Sequence, residues 1–305
     1  MTIDIEILQF LHYHPLANRT EIMAGLMETP SGSTVKRLLS AAVKEGNIET
    51  VGRGPSTKYR LTPQAHVTMP LDLATYFDKD IDERVVQKSF NFDLIREVLP
   101  KVEIFAKEEL SVLFAAQKEF EKNTEGMTEL EYHKEMERLG VDLSWKSSQI
   151  EGNTYSLLET ERLLKDKQTA SGKTKEEAIM LLNHKDALDF VLDVPDYLKE
   201  LSVHRIEDIH SILTKELGVD RNIRHRRVGI TGTNYRPLDN EFQIREALED
   251  TCTLVNGKDN VFEKALLTLV LLSYIQAFVD GNKRTARITS NAILRECKLN
   301  CVKLQ

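Results

Sequence analysis

The chain has 305 residues, 41% hydrophobic and 29% charged, a composition typical of a folded protein with enough core for two domains. No run approaches the roughly 18 apolar residues of a membrane helix, and the N-terminus lacks signal-peptide features, so we predict a cytoplasmic protein without membrane contact. The net charge is −7: residues 1–65 carry seven Lys/Arg against six Asp/Glu (+1), and the remainder 34 against 42 (−8). This acidic body argues against wrapping nucleic acid with the whole surface.

The first 65 residues are predicted to form three short helices followed by two strands. Apolar spacing, capping residues and a Gly-Pro turn predict helices over Ile3–His12, Thr20–Leu26 and from Ser33 or Thr34 to Lys44, then strands over Asn47–Val51 and Thr57–Leu61. This order resembles a winged helix-turn-helix, whose third helix enters the major groove of DNA while its hairpin touches the backbone.

Basic side chains on the third helix and on the hairpin are the candidate DNA contacts. They are Lys36, Arg37, Lys44, Arg53, Lys58 and Arg60. Because the segment has almost no net charge, the sequence leaves two roles equally open, DNA binding and docking onto protein, within the chain or outside it.

The rest of the chain is predicted to be a linker with one short helix (66–93) and a mainly α-helical domain (94–305). The predicted helices are Val102–Lys122, Glu129–Ser148, Leu157–Lys167, Lys175–Val194, Arg205–Leu217, Phe242–Val255, Phe262–Gln276 and Thr285–Cys297. Thr174 and Glu177 have the spacing of a capping box, and Gly218 is placed to end a helix. Residues 225–240 alternate and turn like an exposed hairpin.

The three cysteines show no metal-ligand pattern. Cys297 and Cys301 lie four residues apart, Cys252 is remote from both, and no paired His or Cys stands near them. We therefore expect small buried thiols in a reducing compartment.

Residues 280–287 are suited to holding an anion. Gly281 permits a backbone conformation that other residues reach only with strain, so the next amides can point outward at the start of a helix. Arg284 and Arg287 are three residues apart on the predicted helix, so both side chains can reach the same anion. Asp280 would repel a bare phosphate but can hold Mg²⁺ between two phosphates, so the pattern favours a magnesium-nucleotide.

The segment Phe278-Val279-Asp280-Gly281-Asn282-Lys283-Arg284-Thr285-Ala286-Arg287 strongly resembles FxDGNKRxxR, the signature of the Fic family. The resemblance covers about residues 94–300. It implies a helical fold, ATP and Mg²⁺ as cofactors, and transfer of AMP to a hydroxyl of a target protein.

By position, the resemblance assigns roles to the signature. It implies that Asp280 binds Mg²⁺ and that Arg284 and Arg287 meet the β- and γ-phosphates. The phosphate-binding set is Gly281, Asn282 (amide and side chain), Lys283, Arg284, Thr285 and Arg287. The hairpin resembles the family's flap, where a target segment pairs by strand addition at Val228, Ile230, Gly232 and Tyr235.

Ser147-Ser148-Gln149-Ile150-Glu151-Gly152 resembles the inhibitory motif [S/T]xxxE[G/N] of this family, and places an inhibitory helix at 129–153. The resemblance implies that Glu151 pairs with Arg287, where the γ-phosphate would bind, and leaves the α-phosphate misaligned for attack. The alternative is that Glu151 is a local helix cap.

Gln276 departs from the family pattern, which has His-Pro where this chain has Gln276-Ala277. The family histidine accepts the proton of the attacking hydroxyl, and a glutamine amide cannot, which costs about 10²–10⁴-fold in rate. A substitute base remains open, with His184, His204, His210 and His225 as candidates, and so does slow turnover without one.

The sequence thus predicts a self-inhibited, Mg-ATP-binding protein of the adenylyltransferase type, impaired at Gln276. Two other hypotheses are a nucleotide-responsive DNA-binding regulator and a partner-binding scaffold. The target protein and a homo-oligomeric state are left open.

Overall fold

The computed structural model describes residues 3–27, 30–84, 86–194 and 196–296, without the side chains of Thr75 and Glu296. The chain divides into two compact units, one of residues 1–85 with 96–107 and one of residues 86–95 with 108–305. The stretch predicted as a linker, 66–93, is therefore shared between the two units. Among the described residues, no helix is long and apolar enough to span a bilayer.

The N-terminal unit has the predicted three helices and hairpin, plus one further strand. Its elements are α1 (Ile3–Tyr13), β1 (Ala17–Asn18), α2 (Arg19–Gly25), α3 (Gly32–Lys44), β2 (Ile48–Val51), β3 (Lys58–Leu61), α4 (Pro63–Thr68) and α5 (Leu73–Asp78). The antiparallel sheet has the order β1-β3-β2. Ile7, Leu11, Ile22 and Leu39 bury against this sheet, which explains the helical spacing of these residues.

Helices make up the second unit. They are α6 (Lys107–Thr124), α7 (Glu129–Ile150), α8 (Leu157–Asp166), α9 (Lys175–Asp193), α10 (Val203–Leu213), α11 (Glu241–Gly257), α12 (Val261–Ile275) and α13 (Asn282–Glu296). Capping boxes at Thr128, Ser156 and Thr174 fix the starts of α7, α8 and α9, so the predicted box at Thr174 is confirmed.

Two predicted helix boundaries differ from the structure, one because of a tertiary contact and one because of a local turn. Helix α10 ends at Leu213 and not at residue 217, because the Asn183 side chain donates to the carbonyls of Leu213 and Lys215. Helix α6 starts at Lys107 and not at residue 102, since Leu99–Lys101 forms a 3₁₀ turn with a proline at its first turn.

Helices α12 and α13 form an antiparallel pair at the centre of this unit, with α7, α9 and α10 packed around α13. Both are strongly buried, and Arg284 on α13 is only 2% exposed. The loop that joins them, residues 276–281, therefore starts from a fixed position in the core. It leads into residues 280–287, the predicted anion-binding segment, which we call the cradle.

The described cysteine is buried, as predicted. Burial raises the pKa of the Cys252 thiol to about 12. Cys297 and Cys301 lie outside the described residues, as does the predicted end of the last helix at Cys297.

Candidate functional site

The turn between α12 and α13 begins with a residue in the left-handed conformation. Gln276 caps α12 at φ 52°, ψ 57°, and its backbone N–H donates to the Leu272 carbonyl at 3.2 Å. The left-handed cap reverses the chain within one residue. Residues 277–281 thus turn back over the end of the buried helix.

Asn282 closes this turn from inside. Its Oδ1 accepts the backbone N–H of Phe278 and its Nδ2 donates to the Phe278 carbonyl, each at 2.8 Å. The side chain is buried, with both polar atoms used by the loop. The Asn282 side chain therefore braces the loop before α13, and its predicted contact with phosphate stays a prediction.

Gly281 is required by its backbone conformation and by its surroundings. Its φ is +80°, and a Cβ there would lie 3.2 Å from Thr214 Cγ2 and 3.3 Å from His210 Cδ2. Its N–H donates to Asp280 Oδ1 at 2.6 Å, so a phosphate would have to compete with that carboxylate for this amide.

His210 supports the loop from below. Its ring stacks on Phe278 with centroids 3.7 Å apart, Nε2 donates to the Asp280 carbonyl at 2.9 Å, and Nδ1 lies 3.3 Å from the Arg221 carbonyl. Desolvation lowers the pKa of His210, although both carbonyls act in the opposite direction. Its nitrogens face backbone, so His210 is structural.

Arg284 brings a buried positive charge to the cleft. One guanidinium nitrogen, Nη2, donates to Asp280 Oδ2 at 3.0 Å. The other, Nη1, is buried and has no hydrogen-bond partner among the described residues. A buried, charged donor without an acceptor is costly, and an anion in the cleft would satisfy it.

Arg287, one turn further along α13, contacts the end of α7. Its Nη2 lies 2.7 Å from Glu151 Oε1 and 3.1 Å from the Ser147 carbonyl, and its Nε donates to Ser147 Oγ at 2.9 Å. Glu151 is also the C-cap residue of α7, so its backbone has the capping position that the alternative predicts. Its carboxylate nevertheless reaches Arg287.

A cleft of about 250 Å³ lies above the cradle. It is lined by Glu151, Gly229, Ile230, Thr231, Gln276 and residues 279–284. Lys283 is exposed at its rim, whereas Thr285 is buried beneath it with its hydroxyl unpaired among the described residues. The cleft thus joins the flap segment, the cradle and Glu151.

No histidine lines this cleft in the described part of the chain. His184 is buried with Nδ1 3.1 Å from Ser144 Oγ, and desolvation, with Arg287 and Arg284 nearby, lowers its pKa to about 3. His225 pairs with Glu241 and His204 lies 3.6 Å from Asp208, both exposed. With His210 held by backbone, none of the four candidates is placed to act as the substitute base.

The Gln276 side chain is anchored at its nitrogen. Nε2 donates to the Ser273 carbonyl at 2.7 Å, and the residue is only 8% exposed. The amide can therefore offer its oxygen to a hydroxyl in the cleft, but it has no group that takes up a proton at neutral pH.

Arg224, which the sequence did not single out, connects the flap segment to the turn after α12. Its Nε donates to the Gln276 carbonyl at 2.7 Å, and its two terminal nitrogens donate to the carbonyls of Arg226 and Leu238. Its own N–H donates to the Ala277 carbonyl at 3.1 Å. This buried guanidinium thus holds both ends of the flap segment against the turn, and desolvation lowers its pKa.

The flap itself is an extended segment with a turn at Thr231–Gly232 and no ladder of its own in the described residues. Its returning arm pairs instead with residues 88–89, through an isolated parallel bridge between Ser89 and Arg236. Gly232 is at the turn, and Val228 and Ile230 lie on the first arm, half-buried.

The Tyr235 side chain packs against aromatic residues of its own domain. It stacks on Tyr274 at 4.7 Å, Tyr274 stacks on Phe90 at 4.7 Å, and the Tyr235 hydroxyl donates to the Tyr274 carbonyl at 3.0 Å. The ring and the hydroxyl of Tyr235 thus anchor the flap, and its predicted part in docking a target stays a prediction.

The residues present fit Mg²⁺ bound together with phosphates. No group of three or more His, Cys, Asp or Glu side chains is assembled among the described residues, so no cage of protein ligands exists there. Asp280 supplies one carboxylate, 61% exposed, at the cleft. Mg²⁺ characteristically takes one or two carboxylates, with substrate phosphates and water completing its shell.

The structure thus has an α-helical domain in which a tight turn before α13 lies next to Arg284 and Arg287. Residues 200–294 match the model of the Fic/DOC family. This stretch of the chain is therefore similar to a Fic/DOC domain.

Two relatives agree with this. Protein adenylyltransferase fic-1 of Caenorhabditis elegans is 29% identical over 152 residues, which is 48% of this chain and 30% of the relative. Protein adenylyltransferase Fic of Nematostella vectensis is 30% identical over 161 residues, 49% of this chain and 36% of the relative. The chain thus spans about a third of the length of each.

Solved structures share the fold. A Caenorhabditis elegans Fic-1 fragment (residues 134–508 of that protein) has a TM-score of 0.51 and 22% identity, covering 62% of this chain and 56% of that one. A Fic domain containing signaling protein from Bacteroides thetaiotaomicron has a TM-score of 0.52 and 19% identity, covering 62% and 72%. This confirms the predicted mainly helical, Fic-type fold.

Proposed function

We propose that this chain binds Mg-ATP in the cleft above residues 280–287 as a protein of the adenylyltransferase type. The observation that carries the proposal is the buried, unpartnered Nη1 of Arg284 beside an exposed Asp280. The guanidinium meets phosphate oxygens, and Asp280 exchanges its ion pair with Arg284 for Mg²⁺. When bound, Mg²⁺ neutralises charge on the phosphates.

The reaction of this type is AMP transfer. A target hydroxyl oxygen forms a bond to the α-phosphorus, the bond from that phosphorus to the bridging oxygen breaks, and pyrophosphate leaves. Gln276 Oε1 accepts a hydrogen bond from the hydroxyl and orients it, but the proton has to leave to water. We therefore propose slow transfer, about 10²–10⁴-fold below that of a chain with a general base.

Self-inhibition is the second part of the proposal. Glu151 occupies the Arg287 nitrogen that would otherwise meet the γ-phosphate, at 2.7 Å. Hydrogen bonds to charged groups contribute about 1.5–3 kcal/mol. Freeing Arg287 should therefore tighten ATP by roughly 10- to 150-fold.

Calorimetry with Mg-ATP tests binding and inhibition together. We expect measurable affinity in the wild-type chain and tighter binding in Glu151→Gly. If neither protein binds Mg-ATP, the proposed function is wrong.

Transfer of label from α-labelled ATP tests the role of Gln276. We expect little labelling of any protein by the wild-type chain, and a rise for Gln276→His combined with Glu151→Gly. Strong labelling by the wild-type chain would contradict the proposed impairment.

A nucleotide-responsive regulator is the second candidate. Lys36, Arg37 and Lys44 are exposed on α3, and Arg53 and Lys58 are exposed on the hairpin that follows it. Arg60 instead pairs with Glu49 at 2.6 Å, so it is a weaker candidate. A gel shift with a genomic fragment library, at 50 and 200 mM salt and with or without ATP, tests this. No salt-sensitive binding would exclude DNA and leave protein docking.

A further inference from the structure

The segment that follows Glu151 is fixed by an unusually dense set of hydrogen bonds to helix α9. Asn153 Nδ2 donates to the Glu177 carbonyl at 2.8 Å, and Asn153 is itself buried. Thr154 donates to Glu177 Oε1 twice, from its N–H at 2.8 Å and from its hydroxyl at 2.6 Å. Two consecutive residues, Asn153 and Thr154, are thus hydrogen-bonded to a single residue of α9.

The same carboxylate also closes the start of α9. Glu177 Oε2 accepts the backbone N–H of Thr174 at 2.9 Å, and the Thr174 hydroxyl accepts the Glu177 N–H at 3.1 Å. These bonds lower the pKa of Glu177 to about 2, with the Thr154 hydroxyl as the largest cause. A carboxylate that accepts three donors in fixed directions restrains the chain that carries those donors.

Two further bonds complete this clamp, which we define as residues 153–155 together with Glu177. Lys173 Nζ donates to the Thr154 carbonyl at 2.6 Å, and Trp145 Nε1, one helix turn and a half before Glu151, donates to the Tyr155 carbonyl at 2.9 Å. The end of α7 is therefore held on both sides of Glu151, by its own helix and by α9.

The clamp adds side-chain contacts to an end of α7 that is otherwise closed by backbone bonds. The N–H groups of Glu151 and Asn153 both donate to the Ser148 carbonyl at 3.0 Å, and Gly152, at φ +91° with open space around it, donates to the Gln149 carbonyl. A C-cap residue next to a left-handed glycine could direct its side chain in several ways. The bonds of Asn153 and Thr154 to Glu177 restrict that freedom further.

We propose that Glu177 is a positioning residue that sets Glu151 against Arg287 by holding Thr154. The proposal rests on the proposed function, in which Glu151 blocks the γ-phosphate. Glu177 does not line the cleft, so it can affect a ligand there through the end of α7 that it holds. Loss of the clamp should therefore affect ligands that carry a γ-phosphate and spare those that lack one.

The test is calorimetry of the full chain with Mg-ATP and with Mg-ADP. We expect Glu177→Gln to tighten ATP by about three- to tenfold, part of the gain from Glu151→Gly, with ADP unchanged. Thr154→Val should act in the same way without touching the cap of α9, so it decides the matter if Glu177→Gln folds poorly. Thr154→Ser, which keeps the hydroxyl, and Glu176→Gln, an exposed neighbour of Glu177, are the matched controls.

A double-mutant cycle separates positioning from a general effect. In the Glu151→Gly background, Glu177→Gln should change ATP affinity by less than about twofold, because the side chain that it positions is gone. The same gain in both backgrounds would overturn the proposal. So would unchanged ATP affinity in Glu177→Gln and Thr154→Val when Glu151→Gly itself tightens ATP.

Hydrogen exchange distinguishes failure of this proposal from failure of the proposed function. If Glu151→Gly leaves ATP affinity unchanged, self-inhibition is wrong whatever the clamp does. Faster exchange of amides 151–155 in Glu177→Gln than in Glu176→Gln then still supports positioning, and equal exchange overturns it.

Discussion

Replacing Gly281 by alanine tests whether the cradle depends on its close backbone approach. The new methyl group would meet Thr214 Cγ2 at 3.2 Å, His210 Cδ2 at 3.3 Å and His210 Nε2 at 3.4 Å. His210 cannot retreat freely, because it stacks on Phe278 and bonds to the Asp280 carbonyl. Either the loop or its support has to move by a few tenths of an ångström.

The expected cost has two parts. A non-glycine residue at φ +80° costs about 1–2 kcal/mol. Crowding a packed site typically costs a further 1–3 kcal/mol or so. A domain of this size loses about 2–4 °C of unfolding temperature per kcal/mol, so Gly281→Ala should lower the unfolding temperature by several degrees. If the loop moves to accommodate the methyl group, Mg-ATP binding should weaken as well.

Gly172→Ala is the matched control, since Gly172 has φ +78° and nothing within 4 Å of the added methyl group. Gly172→Ala should therefore lose only the free energy that a left-handed backbone costs a non-glycine residue. Circular dichroism would measure unfolding and calorimetry would measure nucleotide affinity for both variants. Equal unfolding temperatures, with Mg-ATP affinity unchanged in Gly281→Ala, would refute the reasoning.

The remaining predictions concern the flap and the clamp. Arg224→Lys should lower the free energy of unfolding by about 2–4 kcal/mol in urea titrations, because one ammonium cannot reach three carbonyls, the Gln276 carbonyl among them. Tyr235→Ala should speed tryptic cleavage in the flap more than Tyr235→Phe, which keeps the stack on Tyr274. The stabilisation that wild type has over Glu177→Gln should be constant above about pH 5 and shrink as pH falls from 4.5 towards 2, because the folded-state pKa of Glu177 is depressed to about 2.

Features with a local cause could be predicted from the sequence. The starts of α8 and α9 follow from Ser or Thr with Glu three residues later, and the helices of the N-terminal unit follow from apolar spacing. The left-handed turn at Gly281 and the approach of Glu151 to Arg287 were accessible too, the first from residue type and the second from a family motif.

Features that depend on tertiary contacts could not be predicted from the sequence. Arg224 lies between Arg221 and Arg227, a segment rich in basic residues that is typical of an exposed surface. Its side chain is nevertheless buried. The bond pattern of Asn282 depends on where the Phe278 backbone returns, and β1 has only two residues, too short for any periodicity. Tyr235 alternates like a docking residue, yet its ring is taken up by Tyr274.

On the proposed function, the cleft is better suited to binding than to turnover, because both acids that line it among the described residues are already hydrogen-bonded. Asp280 accepts from the Gly281 amide and from Arg284, and Glu151 Oε1 accepts from Arg287. A phosphate can replace these contacts one for one, since it offers the arginines oxygens of the same charge. Replacing these contacts does not help a target hydroxyl to lose its proton, because the Gln276 amide cannot take up a proton at neutral pH. On the proposed function, ATP can therefore replace the contact between Glu151 and Arg287 without creating a base, and faster transfer requires a change at position 276 as well.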